Sequence, residues 1–418
     1  MHICVIGAGV VGATTAFYLR QQGYKVSLLE AANQPAAGCS AANGGQLSYS
    51  YVAPLAAPGV MGDAIKWMYR SDSPLRFRPQ LSVEQVRWLW HFWRACSSVR
   101  SQQTLLELSG LALLSRQGLQ AIQQQYALSF QHQSNGKLIV HRHDKSFSVA
   151  KALVEQQAKQ GAQQAVLSPD ECIALEPELK GSYASLVGGV YTPSEEVGDC
   201  RAFTQALIQT LQDSTDFSLY LNCPVSRIHR QGGKIVGVET TQGVIQADQF
   251  VVAAGIDSVQ LLRPLGIRLP LAPLKGYSLS IPTDQAGMRL STSVTDYARR
   301  IVYANLGSSL RIAGLIEIGS ADTNIAPHVI QRLAQQSTEA FPQLRVNTAQ
   351  VWAGLRPATA QGKPIIDRAP GVSNLWLNVG QGALGFTLAC GSAQQLSALI
   401  GGTAPPLSLA AFSYRSVR

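Results

Sequence analysis

Residues 3–6 form an unbroken apolar run that passes directly into glycine, GAGVVG at 7–12. A short continuous run of this kind, bounded by turn residues, predicts a buried strand. VVGATTAFYLRQQG (10–23) carries the longer period of a helix, closed by Gly23, and KVSLLEA (25–31) returns as a second strand. Parallel strands need such a crossover, so the opening of the chain reads as a strand–helix–strand unit. From 31 to 60 the chain is rich in Ala, Gly, Ser and Asn and predicts a loop that approaches something closely. Residues 81–117 predict helix. Within LSVEQVRWLWHFWRAC, the polar Glu84, Arg87, His91 and Arg94 recur at helical spacing among Trp88, Trp90, Phe92 and Trp93. With IKWMYR (65–70) just upstream, this segment reads either as a well-buried helix or as a Trp- and Arg-bearing surface that rests on a membrane. GKLIVHR (136–142) and SLVGGVYTP (185–193) predict strands; 148–161, 170–176 and 200–213 predict helices. Residues 217–255 and 270–320 alternate in strand fashion and 327–341 are helical. The chain closes with a strand, a glycine loop at 379–387 and a helix.

Composition narrows the class. The 418 residues are 46% hydrophobic and 14% charged, which predicts an ordered chain. At ~100–200 residues per domain there is room for two or three. The net charge of +9 favours an anionic partner: a phosphate-rich cofactor, an acidic membrane surface or a nucleic acid. No run of like charge supports the last, so no nucleic-acid binding is expected. Seven scattered cysteines include no C-x-x-C pair and are odd in number, which argues against a disulfide framework and suggests a reducing compartment. His141 and His143 have no nearby third ligand and read as surface residues, so no metal is expected. No signal peptide precedes the first strand, and no stretch reaches the ~18 apolar residues of a membrane span.

The glycines carry the chemistry. Gly7, Gly9 and Gly12 lie between strand and helix, and Glu30 stands 18 residues after Gly12 at the end of the second strand. Glycines there let the backbone approach a pyrophosphate, the helix aims N–H groups at it, and the acid accepts the ribose hydroxyls. The same acid repels a 2′-phosphate, which excludes NADP. Two further glycine-rich segments, SAANGGQL (40–47) and VGQGALGFT (379–387), suit a long rigid flavin. Its ring needs N–H donors at the edge that gains negative charge, and a helix N-terminus near Leu384 and Gly385 supplies them. QFVVAAG (249–255) returns to line the pyrophosphate, and Val225 covers the adenine through its backbone. The candidate FAD contacts in these segments are Gly7, Gly9, Val11, Gly12, Glu30, Ala31, Ser40, Asn43, Gly44, Gly45, Gln46, Val225, Ala254, Gly255, Gly382, Ala383, Leu384, Gly385 and Thr387, to which the motif GLRP (354–357) adds Gly354 and Arg356. The fold class is α/β. Residues 1–60, 197–265 and 350–418 are expected to form a Rossmann-like FAD-binding domain. Residues 61–196 and 266–349 are expected to form a second, α+β substrate domain built on a large mixed sheet.

VIGAGVVG (5–12), SAANGGQLS (40–48), YVAPLAAPGV (51–60), AIKWM (64–68), GDCRAFTQ (198–205), PLKGYSL (273–279), GLRP (354–357) and GQGALGFTLACGS (380–392) span nearly the whole chain. In these it resembles the small-subunit type of D-amino acid dehydrogenase, within the wider D-amino acid oxidase and glycine oxidase group of flavoproteins. The resemblance implies the GR2-type fold of that group and non-covalent FAD. It implies oxidation of the Cα–N bond of D-amino acids, including cyclic ones such as D-proline or hydroxy-D-proline. Hydride passes from the neutral amine's Cα to flavin N5, and water hydrolyses the imino acid to a 2-oxo acid. Electrons are expected to reach a respiratory quinone from a cytoplasmic enzyme held peripherally on the inner face of the bacterial plasma membrane. Whether it forms a homo- or hetero-oligomer stays open.

Arg356 in GLRP matches the arginine that holds the substrate carboxylate in the oxidase relatives, a task suited to a guanidinium fork. Tyr277 is a candidate to close the site and contact substrate through its hydroxyl, with Tyr303 a weaker one. Cys390 lies away from the place where relatives with a covalent flavin carry their cysteine. The chain departs from the family pattern in the catalytic half. TAQG stands for TPDG, placing Gln361 at the acid's position; Asp367 replaces a usual glycine; Gln381 replaces the histidine of GHG, and Phe386 a tryptophan. Gln381 is carried as a third candidate catalytic residue. These departures keep two alternatives open: an oxygen-using amine oxidase of the glycine or sarcosine type, and a flavoprotein subunit of a larger complex.

Overall fold

The computed structural model describes residues 1–60, 75–79, 82–158 and 163–417. A six-stranded sheet runs in the order Ile365–Arg368, Leu375–Val379, Gln249–Val252, His2–Ile6, Lys25–Leu29, Phe217–Tyr220. All its pairs are parallel except the first. Ile3–Ile6 of the chain's first strand are apolar because both its faces are covered. Ile3 and Val5 pack with residues of the helices Val10–Gln21, Ser98–Gln125, Cys200–Gln212 and Gly385–Gly401. Cys4 and Ile6 turn the other way, against the three-stranded sheet of Val225–Gln231, Lys234–Thr240 and Gly243–Ile245. The helical segment Gly382–Gly401 is long and apolar enough to cross a membrane, but it is mostly buried in this core.

A nine-stranded mixed sheet forms the second layer. Its main path is Gln350–Thr359, Leu271–Pro282, Ser309–Ile318, Ile301–Asn305, Ser293–Asp296, Lys137–His141, Gly188–Thr192, Ala165–Leu167, and Leu75–Phe77 pairs with Ser309–Ile318. One face buries a core with helix Pro327–Ala340 and the 3-10 turns of Pro177–Ser185. The other face meets the glycine loops. A two-stranded ribbon, Gln46–Leu47 with Glu196–Val197, ties the layers together.

Several expectations need correction. Gln350–Thr359 was assigned to the FAD-binding domain but pairs along its whole length with Leu271–Pro282 in the large sheet. Helix Ser98–Gln125 was placed in the substrate domain but lies in the core of the six-stranded layer. Periodicity defines an element's type, not the sheet or core it joins. The helix expected over 81–117 is two helices, Val83–Ala95 and Ser98–Gln125. Ser82 caps the first by accepting a hydrogen bond from Gln85 N. His141, read as a surface residue, is buried at the inner end of its strand, stacked on Tyr297 at 4.7 Å. Desolvation lowers its pKa to about 4 and keeps it neutral.

The Trp-rich segment has a buried face and an exposed one. Trp88 and Phe92 stack at 5.2 Å and are buried, and Trp88 Nε1 donates to the Ala358 carbonyl. On the opposite side Trp90 (50% exposed) and Trp93 (61%) face outward with Val83 and Val86. IKWMYR lies outside the described residues.

Candidate active site

The site begins at the first turn. Gly7 has φ +103°, and a Cβ there would lie 2.7 Å from the Ala253 carbonyl oxygen. A Cβ on Gly12 would be driven into the Gly7 carbonyl oxygen. The turn is therefore wound so tightly that only hydrogen fits at both positions. It delivers the chain to the N-terminus of Val10–Gln21, where Val10 N donates to Ser40 Oγ at 3.0 Å. The Glu30 carboxylate accepts from Ala8 N and Ala32 N, both at 3.0 Å, and so stands beside the turn. Asn222 N donates to Ala32 O and Cys223 N to Glu30 O, which brings Val225 close to Ala31. Ala254 and Gly255 follow the strand whose end abuts Gly7. Gly7, Gly9, Val11, Gly12, Glu30, Ala31, Val225, Ala254 and Gly255 thus gather at the C-terminal ends of parallel strands, where α/β sheets bind nucleotides. The tight turn, the free helix end and the adjacent carboxylate fit the adenosine diphosphate half of FAD.

The two glycine loops meet a few residues away and enclose a cavity. Val10, Cys39, Ser40, Ala42 and Asn43 line one side, and Gly382, Ala383, Gly385 and Phe386 another. The large sheet contributes Ala313, Trp352, Arg356 and Tyr277. Hydrogen bonds hold the loops against the sheet. Ser278 Oγ donates to Ala42 O at 2.8 Å and Arg311 Nη1 to Asn43 O at 2.6 Å. Gln46 Nε2 donates to Ser293 Oγ, and Ser48 N donates to Thr387 Oγ1 at 3.3 Å, joining one loop to the other. Gly198 N donates to Gly45 O. Ala42, Ala313, Gly382, Ala383 and Gly385 leave part of the wall as near-bare backbone, which suits a flat ring.

Arg356 is the one charged residue lining this cavity among the described residues. A Cβ on Gly276 would lie 2.5 Å from Arg356 Nη2, so the guanidinium rests on that glycine. Burial makes its charge costlier than in water. No carboxylate pairs with it among the described residues. A half-buried fork without an acidic partner is ready for a ligand's carboxylate.

Tyr277 borders the cavity but is only 1% exposed, and its ring belongs to the core on the far face of the sheet. Its hydroxyl lies by the buried Glu317, and burial pushes its pKa well above the usual phenol value. Strand alternation is the reason: Gly276 and Ser278 face the loops, so Tyr277 faces away. Tyr303 is likewise buried, edge-on to Phe341 at 4.8 Å. Neither tyrosine side chain shares a face with Arg356. Gln381 is also turned from the cavity. Its Nε2 donates to Asn378 Oδ1 at 2.7 Å, and Asn378 Nδ2 donates to Thr15 Oγ1, so it fastens the second loop to the first helix. Asp367 accepts from Tyr414 N at 2.9 Å and ties down the C-terminal segment rather than facing flavin or substrate. Gln361 sits in the turn after Gln350–Thr359. Phe386 packs on Phe203 at 5.5 Å. Cys390 is buried in its helix, where desolvation pushes its thiol up to about 12.

The residues missed from sequence are Ser278, Arg311, Trp352 and Lys137. Lys137 is buried behind the first loop and donates to Ser48 Oγ at 3.0 Å; desolvation lowers its pKa to about 8. For Ser278 and Trp352 a signal existed, since each lies two positions from a glycine on its strand.

Comparison with known proteins bears on this geometry. The family described as FAD dependent oxidoreductase matches residues 2–399. The chain is 43% identical to D-amino acid dehydrogenase 2 of Ralstonia nicotianae, over 99% of each chain. It is 45% identical to D-amino acid dehydrogenase 2 of Pseudomonas aeruginosa, over 97% of this chain and 96% of the relative. Among solved structures, glycine oxidase from Geobacillus kaustophilus superposes with a TM-score of 0.77 at 19% identity, covering 99% of this chain and 97% of the other. L-proline dehydrogenase from P. horikoshii gives 0.73 at 17% identity, covering 99% and 96%. These structural likenesses extend over the whole fold.

Proposed function

The chain belongs to the family of FAD-dependent oxidoreductases, and from that premise we propose that it is a D-amino acid dehydrogenase with non-covalently held FAD. The observation that carries this reading is the half-buried Arg356 guanidinium at the junction of the two glycine loops. The names of the two full-length relatives support the substrate class. FAD, when bound, supplies a hydride acceptor. The chain's own residues do the rest. The Gly7–Gly12 turn and the helix behind it hold the pyrophosphate, and Glu30 the ribose. The N-terminus of Gly385–Gly401 directs N–H groups towards the ring. Arg356 fixes the substrate carboxylate, which leaves the Cα–H one orientation. Positioning of this kind supplies most of the rate, and no protein base is required when the amine is neutral. Water hydrolyses the imino acid to a 2-oxo acid.

The test is anaerobic mixing of the yellow holoprotein with D-, L- and N-methyl amino acids. D-amino acids are expected to bleach the flavin band, with fast reoxidation by a quinone analogue and slow reoxidation by air. Rapid air reoxidation with peroxide would identify an oxidase instead. Failure of every amino acid to bleach the band would point to a flavoprotein subunit.

The acceptor in this reading is a quinone at the inner face of the plasma membrane. The outward face of Val83–Ala95 supports it. Val83, Val86, Trp90 and Trp93 recur along one side, flanked by the exposed Arg87 and Arg94, and the Arg94 guanidinium lies 4.6 Å from the Trp90 ring centre. Exposed indoles beside arginines suit an anionic headgroup layer. The Trp90→Ser/Trp93→Ser double variant is expected to bind phosphatidylglycerol vesicles at least about tenfold more weakly in sedimentation, with FAD content unchanged. Equal binding by parent and variant would remove this face from the reading.

A further inference from the structure

Leu271–Pro282 and Gln350–Thr359 pair so that Gly276 stands directly opposite Gly354. Alternation puts Trp352, Gly354 and Arg356 on the same face as Gly276. A Cβ on Gly276 would lie 2.5, 2.6 and 2.9 Å from Nη2, Cζ and Nε of Arg356, so the whole fork lies flat on that residue. A Cβ on Gly354 would lie 2.1, 2.4 and 3.1 Å from Cη2, Cζ2 and Cζ3 of Trp352, so the indole rests on that glycine. The paired glycines are a bare patch of sheet, with a guanidinium laid on one and an indole on the other. Both side chains line the cavity.

We infer that Trp352 selects the substrate's side chain, and that Gly276 and Gly354 are positioning residues that let the fork and the indole lie side by side. The inference rests on the reading that Arg356 holds the α-carboxylate. With the carboxylate there, the substituent on Cα lies against the neighbouring indole, whose face offers a broad apolar surface. No lining residue other than Arg356 is charged among the described residues. A second carboxylate or an ammonium on the side chain would therefore be desolvated without a counter-charge. The site takes amino acids with neutral, apolar side chains, aliphatic, aromatic or cyclic, in preference to acidic or basic ones.

The experiment uses holoprotein and follows the flavin difference spectrum, which reads binding without turnover. Acetate probes the fork alone; benzoate probes fork and wall together. Trp352→Ala is expected to weaken benzoate by a factor of about ten to a hundred and acetate by less than about twofold. Trp352→Phe restores benzoate binding. In turnover, kcat/KM for D-phenylalanine falls with benzoate affinity while that for D-alanine holds. Gly276→Ala lifts the fork and weakens both ligands by about tenfold or more, at unchanged FAD content. Equal effects of Trp352→Ala on acetate and benzoate, or none on either, would overturn the assignment of Trp352. Arg356→Leu tests the reading beneath it: if that variant binds acetate like the parent, both fall, whereas a parental Trp352→Ala alone removes only the specificity role.

Discussion

Replacing Arg356 with leucine is expected to lower kcat/KM for a D-amino acid by roughly a thousandfold, with FAD content and melting temperature near the parental values. Removing one partner of a buried, hydrogen-bonded charge pair costs about 3–5 kcal/mol, which spans that factor. The loss should appear in kcat as well as KM, because the fork both attracts the carboxylate and fixes the Cα–H. Arg356→Lys keeps the charge but not the planar fork, and should recover about a tenth of the parental efficiency at best. Stability should not suffer. Among the described residues Arg356 pairs with no carboxylate, and its burial works against its charge, so leucine removes a desolvated cation. Steady-state rates with a quinone analogue, beside thermal melting, separate these effects. A leucine variant within tenfold of the parent would sink the carboxylate assignment.

The second large effect concerns the opening turn, where Gly9 and Gly12 should fail in different ways. A Cβ on Gly12 meets the Gly7 carbonyl oxygen, which is backbone and cannot step aside. Gly12→Ala should therefore destabilise the apoprotein itself, by about 3 kcal/mol or more, and abolish FAD binding as a consequence. Gly9 has φ −70° and a Cβ there would meet only Ser40 Oγ, at 3.4 Å. Gly9→Ala should leave apoprotein melting within about 0.5 kcal/mol of the parent. It should still weaken FAD by about a hundredfold, because the bare backbone at this position is what a pyrophosphate approaches. Melting of apoprotein and fluorescence titration of FAD distinguish the two. Parental FAD affinity in Gly9→Ala would remove the pyrophosphate from this turn.

These contrasts mark what sequence reading reaches. Gly7, Gly12 and Glu30 were legible because strand, turn, helix and acid interact within thirty residues. Arg356 was legible because its flanking GLRP resembles a known motif. Tyr277 drew attention as the tyrosine of PLKGYSL, but which face of its strand meets the loops is decided by pairing with Gln350–Thr359. Only with that register does Gly276, not Tyr277, become the residue under the fork. Gln381 and Asp367 looked like altered active-site groups because of where they fall in the motifs. The partners that explain them, Asn378 with Thr15 and the Tyr414 amide, come from distant parts of the chain. The Trp-rich helix posed a choice between core and membrane contact; Trp88 and Phe92 are in a core, and Trp90 and Trp93 are exposed.

The interleaving of the six-stranded sheet has a consequence for biosynthesis. His2–Ile6 is made before the rest of its sheet, yet its neighbours are Lys25–Leu29 on one side and Gln249–Val252 on the other, and Leu375–Val379 lies beyond. The loop that faces Ser40 and Asn43 follows that last strand, and the helix Gly385–Gly401 then covers Val10–Gln21. A ribosome-bound chain therefore displays the dinucleotide motif long before it can grip a cofactor. The site is complete only once the loop at 379–387 has met the loop at 40–47, so a cofactor bound there bridges segments far apart in the chain.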